Sequence, residues 1–266
     1  MKLIMYMILG LIQGFTEPIP VSSSGHLVIF NSLLNVEELN DLNFEIFVNF
    51  GSFIAIAYFY RKEIIKIVRD FFKYIKTKDI NYYTNYKYVW FIIIGTIPAG
   101  LVGLLLKDTI ESVTNVKIVG VSLLITAIML FLVKDIKGKK EKEDMTIIDA
   151  LVVGIFQVIA LFPGISRSGS TLVGGMSRNL SKKSAFNFSF MLYLPISIAT
   201  MILGVKDLLE SDISSSLIMP YISGMIVSSI ITYFSIRWFK KIIEKGKLKY
   251  FIYYCFIVGI LVILFL

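Results

Sequence analysis

The chain has 266 residues, 27 Lys and Arg against 19 Asp and Glu for a net charge of +8, and is 56% hydrophobic with a mean hydropathy of +0.76. That is too apolar for a water-soluble domain of this length. The positive charge sits in short stretches between long apolar runs, as in cytoplasmic loops, so nucleic acid is excluded as a partner; the single cysteine, Cys255, excludes a disulfide framework and a cysteine metal cluster.

Eight apolar segments follow one another along the chain. The runs are too long and too continuously apolar for barrel strands, so every element is expected to be a helix. The first, 3–34, opens on Met1-Lys2-Leu3-Ile4, which superficially resembles a signal peptide. No small-residue cleavage site follows, and Gln13 and Glu17 interrupt the run, so it is expected to stay in the mature protein. Its apolar limb up to Phe15 is about thirteen residues, or roughly 20 Å as a helix, against a hydrocarbon core of about 30 Å. Glu17, Pro18, Pro20, Ser22, Ser23, Ser24 and Gly25 then form a polar turn before a second short limb. Segments 46–60, 88–106 and 116–133 read as crossings. Segment 147–177 repeats the shape of the first, its turn carrying Pro163, Gly164, Ser166, Arg167, Ser168 and Gly169. Segments 185–205, 214–236 and 250–266 complete the set. Pro98, Pro195 and Pro220 should kink or bound helices that their neighbours can support.

The charge between segments orients them. Stretches 61–87, 134–144, 178–184 and 237–249 are rich in Lys and Arg, whereas 35–45 holds Glu37, Glu38, Asp41 and Glu45 with no basic residue, and 206–212 sets Lys206 against Asp207, Glu210 and Asp212. With the basic stretches in the cytoplasm, segment 147–177 enters and leaves on one face. The predicted fold is therefore an all-α integral membrane protein with six transmembrane helices and two re-entrant helical hairpins.

Gly10-Leu11-Ile12-Gln13 is echoed by Gly154-Ile155-Phe156-Gln157, 144 positions later, and Gly25 by Gly169 at the same offset. This predicts one membrane domain over 1–266 made of two halves, 1–134 and 146–266. An odd number of crossings in each half inverts one against the other, and broken helices of inverted repeats meet near the midplane to form a site.

Glu17, His26 and Arg167 lie in apolar surroundings, where an ionisable group is costly and usually functional. Both turns read as helix starts. Serine caps such starts, proline and glycine turn the backbone sharply, and the free N–H groups and positive dipole end favour an anion. Two starts facing each other across an arginine suit a phosphate group. A serine of the Ser22–Ser24 run can attack phosphorus. His26 can relay a proton or attack itself, and Glu17 can hold Mg²⁺ or Ca²⁺ or act as base. The residues alone leave these roles open. With one histidine in the chain, a phosphohistidine scheme needing a second histidine for the leaving group is excluded.

The run from Gly10 to His26, Gly-Leu-Ile-Gln-Gly-Phe-Thr-Glu-Pro-Ile-Pro-Val-Ser-Ser-Ser-Gly-His, with Pro-Gly-Ile-Ser-Arg-Ser-Gly over 163–169, resembles the undecaprenyl-diphosphate phosphatase (bacitracin-resistance) family. The resemblance extends over essentially the whole chain. It implies hydrolysis of undecaprenyl diphosphate to the monophosphate, recycling of the cell-wall lipid carrier, and bacitracin resistance. It implies a multi-pass protein of the bacterial inner membrane, a divalent cation, Mg²⁺ or Ca²⁺, and a site open to the extracytoplasmic face. On it, Glu17, Ser23, His26 and Arg167 are the expected catalytic residues, with Glu17 as the metal candidate. Gln13, Ser22, Ser24, Gly25, Ser166, Ser168 and Gly169 are expected to bind the diphosphate. Gln13 stands where the family carries Glu or Gln, which weakens a two-carboxylate metal site. The expected partners are the lipid substrate and the bilayer; a homodimer is compatible with the sequence. The rival readings are a polyprenyl-phosphate flippase on the same plan and a structural scaffold. Neither requires a nucleophile beside a proton carrier.

Overall fold

The computed structural model describes residues 2–34, 42–112, 115–210 and 214–266, and these form ten α-helices. In chain order they are α1 (Lys2–Thr16), α2 (Ser23–Leu34), α3 (Leu42–Thr77), α4 (Tyr83–Ser112), α5 (Val116–Val133), α6 (Ile147–Ile159), α7 (Arg167–Ser177), α8 (Lys182–Glu210), α9 (Ser215–Glu244) and α10 (Lys249–Phe265). Among the described residues there is no strand, only an isolated bridge between Lys140 and Leu180.

This is an all-α integral membrane protein. Four helical stretches, Ile80–Leu106, Val116–Val133, Lys182–Val205 and Ser215–Glu244, are long and apolar enough to cross a bilayer; α1, α6 and α10 are shorter apolar helices. Leu105 is 80% exposed, Leu132 71% and Phe265 77%. So much open apolar surface belongs in lipid rather than water.

Local chemistry explains the breaks. Pro18 and Pro20 cannot continue α1, and the chain turns through Ser22 in a left-handed conformation (φ 67°) before α2 begins. Thr146 and Asp149 form a reciprocal capping box at the start of α6, and Gly164, at φ 84°, lets the chain turn back into α7. Pro98, Pro195 and Pro220 stand inside continuous helices.

The packing pairs elements in a regular way. α1 lies mainly on α9, and α6, at the corresponding place in the second half, lies on α4; α5 lies on α10. Glycines permit each crossing. A Cβ on Gly10 would stand 2.3 Å from the Gly224 carbonyl oxygen, and one on Gly154 would stand 2.6 Å from that of Gly95. Gly120 and Gly259 meet similarly between α5 and α10. Such close approach is a usual means of helix association in lipid. Polar contacts add to it: the Ser52 and Ser228 hydroxyls lie 2.9 Å apart between α3 and α9, and Ser228 also donates to the Val48 carbonyl at 2.8 Å.

The basic stretches converge at one end of the bundle. Asp149 accepts from Lys140 at 3.1 Å and from Arg178 at 3.0 Å, Lys142 lies 3.8 Å from Glu63, and the Lys182 ammonium approaches Gly246. The Asp149 carboxyl is desolvated by burial, yet hydrogen bonds from Thr146, Lys140 and Arg178 outweigh this and hold its pKa below the ordinary carboxylate value.

Two expectations need correction. Residues 61–77, read as a loop, continue α3 for several turns, because the stretch holds no helix breaker and its aromatics pack on α4: Phe71 and Tyr74 both meet Tyr86. Of the acidic stretch 35–45, only 42–45 is described and it opens α3; Glu37, Glu38 and Asp41 lie outside the described residues, as does Asp212.

Candidate active site

The two polar turns meet in the interior. The Ser168 hydroxyl donates to the Ile19 carbonyl at 3.1 Å, and a Cβ on Gly169 would lie 3.2 Å from that of Pro20. On the other side, a Cβ on Gly25 would lie 3.1 Å from the Gly164 Cα. Gly25 and Gly169 are thus where one hairpin tip closes on the other. Each also donates its N–H to a capping serine, Gly25 to Ser22 Oγ at 3.2 Å and Gly169 to Ser166 Oγ at 3.1 Å. The remaining N–H groups in the first turns of α2 and α7 have no helical acceptor of their own.

A cavity of about 290 Å³ lies between these helix starts, lined by Glu17, the three serines Ser22, Ser23 and Ser24, the Ser166-Arg167-Ser168 turn, and residues of α3 and α8. Glu17 is its hub. One carboxylate oxygen accepts from Arg167; the other accepts from the Ser23 hydroxyl and from Gln13 Nε2 at 3.0 Å. The carboxylate is buried, so it depends on these donors. Arg167 also stacks over the Tyr193 ring, 3.9 Å from its centroid, which fixes the guanidinium plane.

The three serines separate by environment. Ser22 is buried and occupied as a cap, Ser23 is half-buried and bonded to Glu17, and Ser24 is exposed to the cavity. Ser166 and Ser168 lie 3.2 Å apart, hydroxyl to hydroxyl.

His26 is placed differently. It is buried, does not line the cavity, and among the described residues is bonded to no serine hydroxyl. Its Nδ1 lies 2.7 Å from the Ser22 carbonyl, which can only accept, so Nδ1 carries a proton; its Nε2 lies 2.7 Å from the hydroxyl of Tyr254 on α10. Of the two proton carriers the sequence left open beside the serines, Ser23 meets the Glu17 carboxylate and not the imidazole.

Three residues were not foreseen: Asn49, whose side-chain oxygen accepts from Gln13 Nε2 at 2.7 Å, Tyr193 and Tyr254. Asn49 was detectable as an amide inside an apolar segment; the tyrosines carry no comparable signal.

A second cavity of about 600 Å³ adjoins the first and shares Asn49, Leu161, Ile196 and Thr200 with it. Its walls are mainly apolar, with Glu45, Asn49 and Thr200 as the polar exceptions, and come chiefly from the start of α3 and the later halves of α4 and α8.

These features define a polytopic membrane protein with a polar pocket built from two hairpin tips and lying beside an apolar one. Comparison with known sequences is more specific: the model of the family described as bacitracin resistance protein BacA matches residues 6–261. The chain belongs to that family. It is 42% identical over 262 residues to undecaprenyl-diphosphatase 2 of Bacillus thuringiensis, covering 98% of this chain and 97% of the relative. It is likewise 42% identical to undecaprenyl-diphosphatase 1 of Bacillus licheniformis (99% and 98% covered) and 40% identical to undecaprenyl-diphosphatase of Oceanobacillus iheyensis (98% and 96% covered).

Proposed function

We propose that the protein hydrolyses undecaprenyl diphosphate to undecaprenyl phosphate and inorganic phosphate, with Ser23 as nucleophile and Glu17 as its base. The observation that carries this is the hydrogen bond from the Ser23 hydroxyl to Glu17, whose other oxygen is held by Arg167. Glu17 takes the Ser23 proton as the serine oxygen bonds to the terminal phosphorus. The bridging P–O bond breaks, and the prenyl monophosphate leaves with that electron pair. Water then attacks the phosphoserine, releasing phosphate and returning the proton to Ser23. Arg167 and the first-turn N–H groups of α2 and α7 face the charge on the phosphoryl oxygens, where donors are most effective. His26 holds the Ser22 carbonyl, and with it the turn that aims Ser23.

Mg²⁺ is commonly bound by one or two carboxylates; Glu17, the one carboxylate lining the pocket, would hold such a cation here. Bound there, it would neutralise charge on the diphosphate. Among the described residues no cluster of three acidic, His or Cys side chains forms a fuller site.

We further assign six crossings and two re-entrant hairpins in the bacterial inner membrane, in two halves of opposite orientation. The paired α1–α9 and α6–α4 crossings and the convergence of basic stretches at one end support this. Arg167 packs on Tyr193, eleven residues into α8 from its basic end or roughly 17 Å along the axis, so the site is deep. The cavity continues along α8 to Thr200 and Met201, away from that end, toward the extracytoplasmic face.

Purified protein given undecaprenyl diphosphate should release phosphate. Glu17→Gln and Ser23→Ala should lower kcat by about 10²-fold or more, while Ser24→Ala should retain most activity. Equal release by wild type and Glu17→Gln would refute the scheme. EDTA should stop release, and added Mg²⁺ or Ca²⁺ should restore it.

A further inference from the structure

We infer that Gly100 and Gly103 of α4 set the specificity for the lipid part of the substrate, by keeping open the apolar cavity that receives the first isoprene units beside the diphosphate. The inference rests on the proposed activity and deepens it. Most glycines at the helix crossings are required for packing: a Cβ on Gly95, one turn earlier on α4, would lie 2.9 Å from Leu192 and 3.1 Å from the Ala150 carbonyl oxygen. Gly100 and Gly103 differ. A Cβ on Gly100 would meet nothing within 4 Å, and one on Gly103 would find only Leu161, at an ordinary 3.8 Å. No neighbouring helix needs these positions to be bare. Glycine is also a poorer helix former than alanine. Their shared property is that both line the 600 Å³ cavity, three residues apart on one face of α4.

The occupant follows from continuity. The apolar cavity joins the polar pocket through Asn49, Leu161, Ile196 and Thr200, so a ligand whose phosphates sit against Arg167 has its chain at this opening. Its volume is that of a site for a drug-sized ligand. It therefore takes a few isoprene units, leaving the rest of the long chain in the bilayer.

The test compares Gly103→Phe, Gly103→Ala and Leu105→Phe, the last a change on the lipid-exposed face of the same helix. Each purified protein is assayed for the KM of undecaprenyl diphosphate and for inhibition by inorganic phosphate, which needs only the polar pocket. Gly103→Phe should raise KM by roughly tenfold or more, since a ring in the cavity displaces several buried methylene equivalents of chain. Its inhibition by phosphate should stay as in wild type; Gly103→Ala should raise KM by a smaller factor than Gly103→Phe, and Leu105→Phe should match wild type in both readings. An unchanged KM in a Gly103→Phe protein that phosphate still inhibits overturns the inference. So does a parallel loss of both readings, which would mark Gly103 as structural. A wild-type protein that releases no phosphate removes the proposed activity itself, and this inference with it.

Discussion

Two carboxylate oxygens on Glu17 serve three donors, Arg167, Ser23 and Gln13, and each donor arrives from a different helix or turn. The geometry of the guanidinium therefore matters as much as its charge. Arg167→Lys keeps the cation but loses the planar fork and the stacking on Tyr193. We expect kcat/KM to fall by about 10- to 100-fold, near the worth of one charge-assisted hydrogen bond, as steady-state phosphate release will measure. Tyr254→Phe removes only the hydroxyl facing His26 Nε2. A loss under about tenfold in kcat, with KM unchanged, is expected for a group acting through His26 and the Ser22 carbonyl. At this scale Glu17, the run Ser22–Ser24 and Arg167 were legible as candidates, because ionisable or clustered polar residues in an apolar run are conspicuous. Which serine meets the carboxylate was not, and neither was the placement of His26. Its neighbours in sequence are serines, but its ring partner, Tyr254, lies 228 residues away, and no local pattern announces such a contact.

Helices in lipid gain little from burying apolar side chains against one another, so the closeness of their backbones carries more weight. Gly10 is the tightest glycine of the α1–α9 crossing and Gly154 that of the α6–α4 crossing. Gly10→Leu or Gly154→Leu should force those helices apart and cost about 1–3 kcal/mol, as overpacking generally does; thermal unfolding of the detergent-solubilised protein should show a lower midpoint. Gly100→Ala, with open space around it, should leave the midpoint unchanged or raise it slightly. The broken shapes of segments 3–34 and 147–177 could be read from their proline, glycine and serine content. The long extension of α3 could not: the stretch after Arg61 looks like a charged loop until its aromatic residues are seen packed on Tyr86. Helix ends in water obey local rules, whereas this one is held by tertiary contacts.

Across the whole molecule, the basic stretches gather at one end, and the polar cavity reaches Thr200 and Met201 in the half of α8 away from it. A cysteine placed at Thr200, which is exposed beside the cavity, should react with a membrane-impermeant maleimide added outside intact cells. One at Lys139 should react only after the membrane is opened. The native Cys255 is buried and contributes little background. Reversal of that labelling pattern would invert the assigned orientation. The gathering of basic charge in a few stretches was the most legible global property, since it depends on composition between helices rather than on any contact.

The two turns part company where their chemistry sits. At the 144-position offset Ser23 falls on Arg167, His26 on Ser170, and Glu17 on Leu161, which lines both cavities. A second acid at position 161 would have suited the chamber to a doubly polar guest. Instead it carries an acid from one turn and a leucine from the other, the two-ended polarity that the proposed substrate would need, one end for its head and the other for its tail.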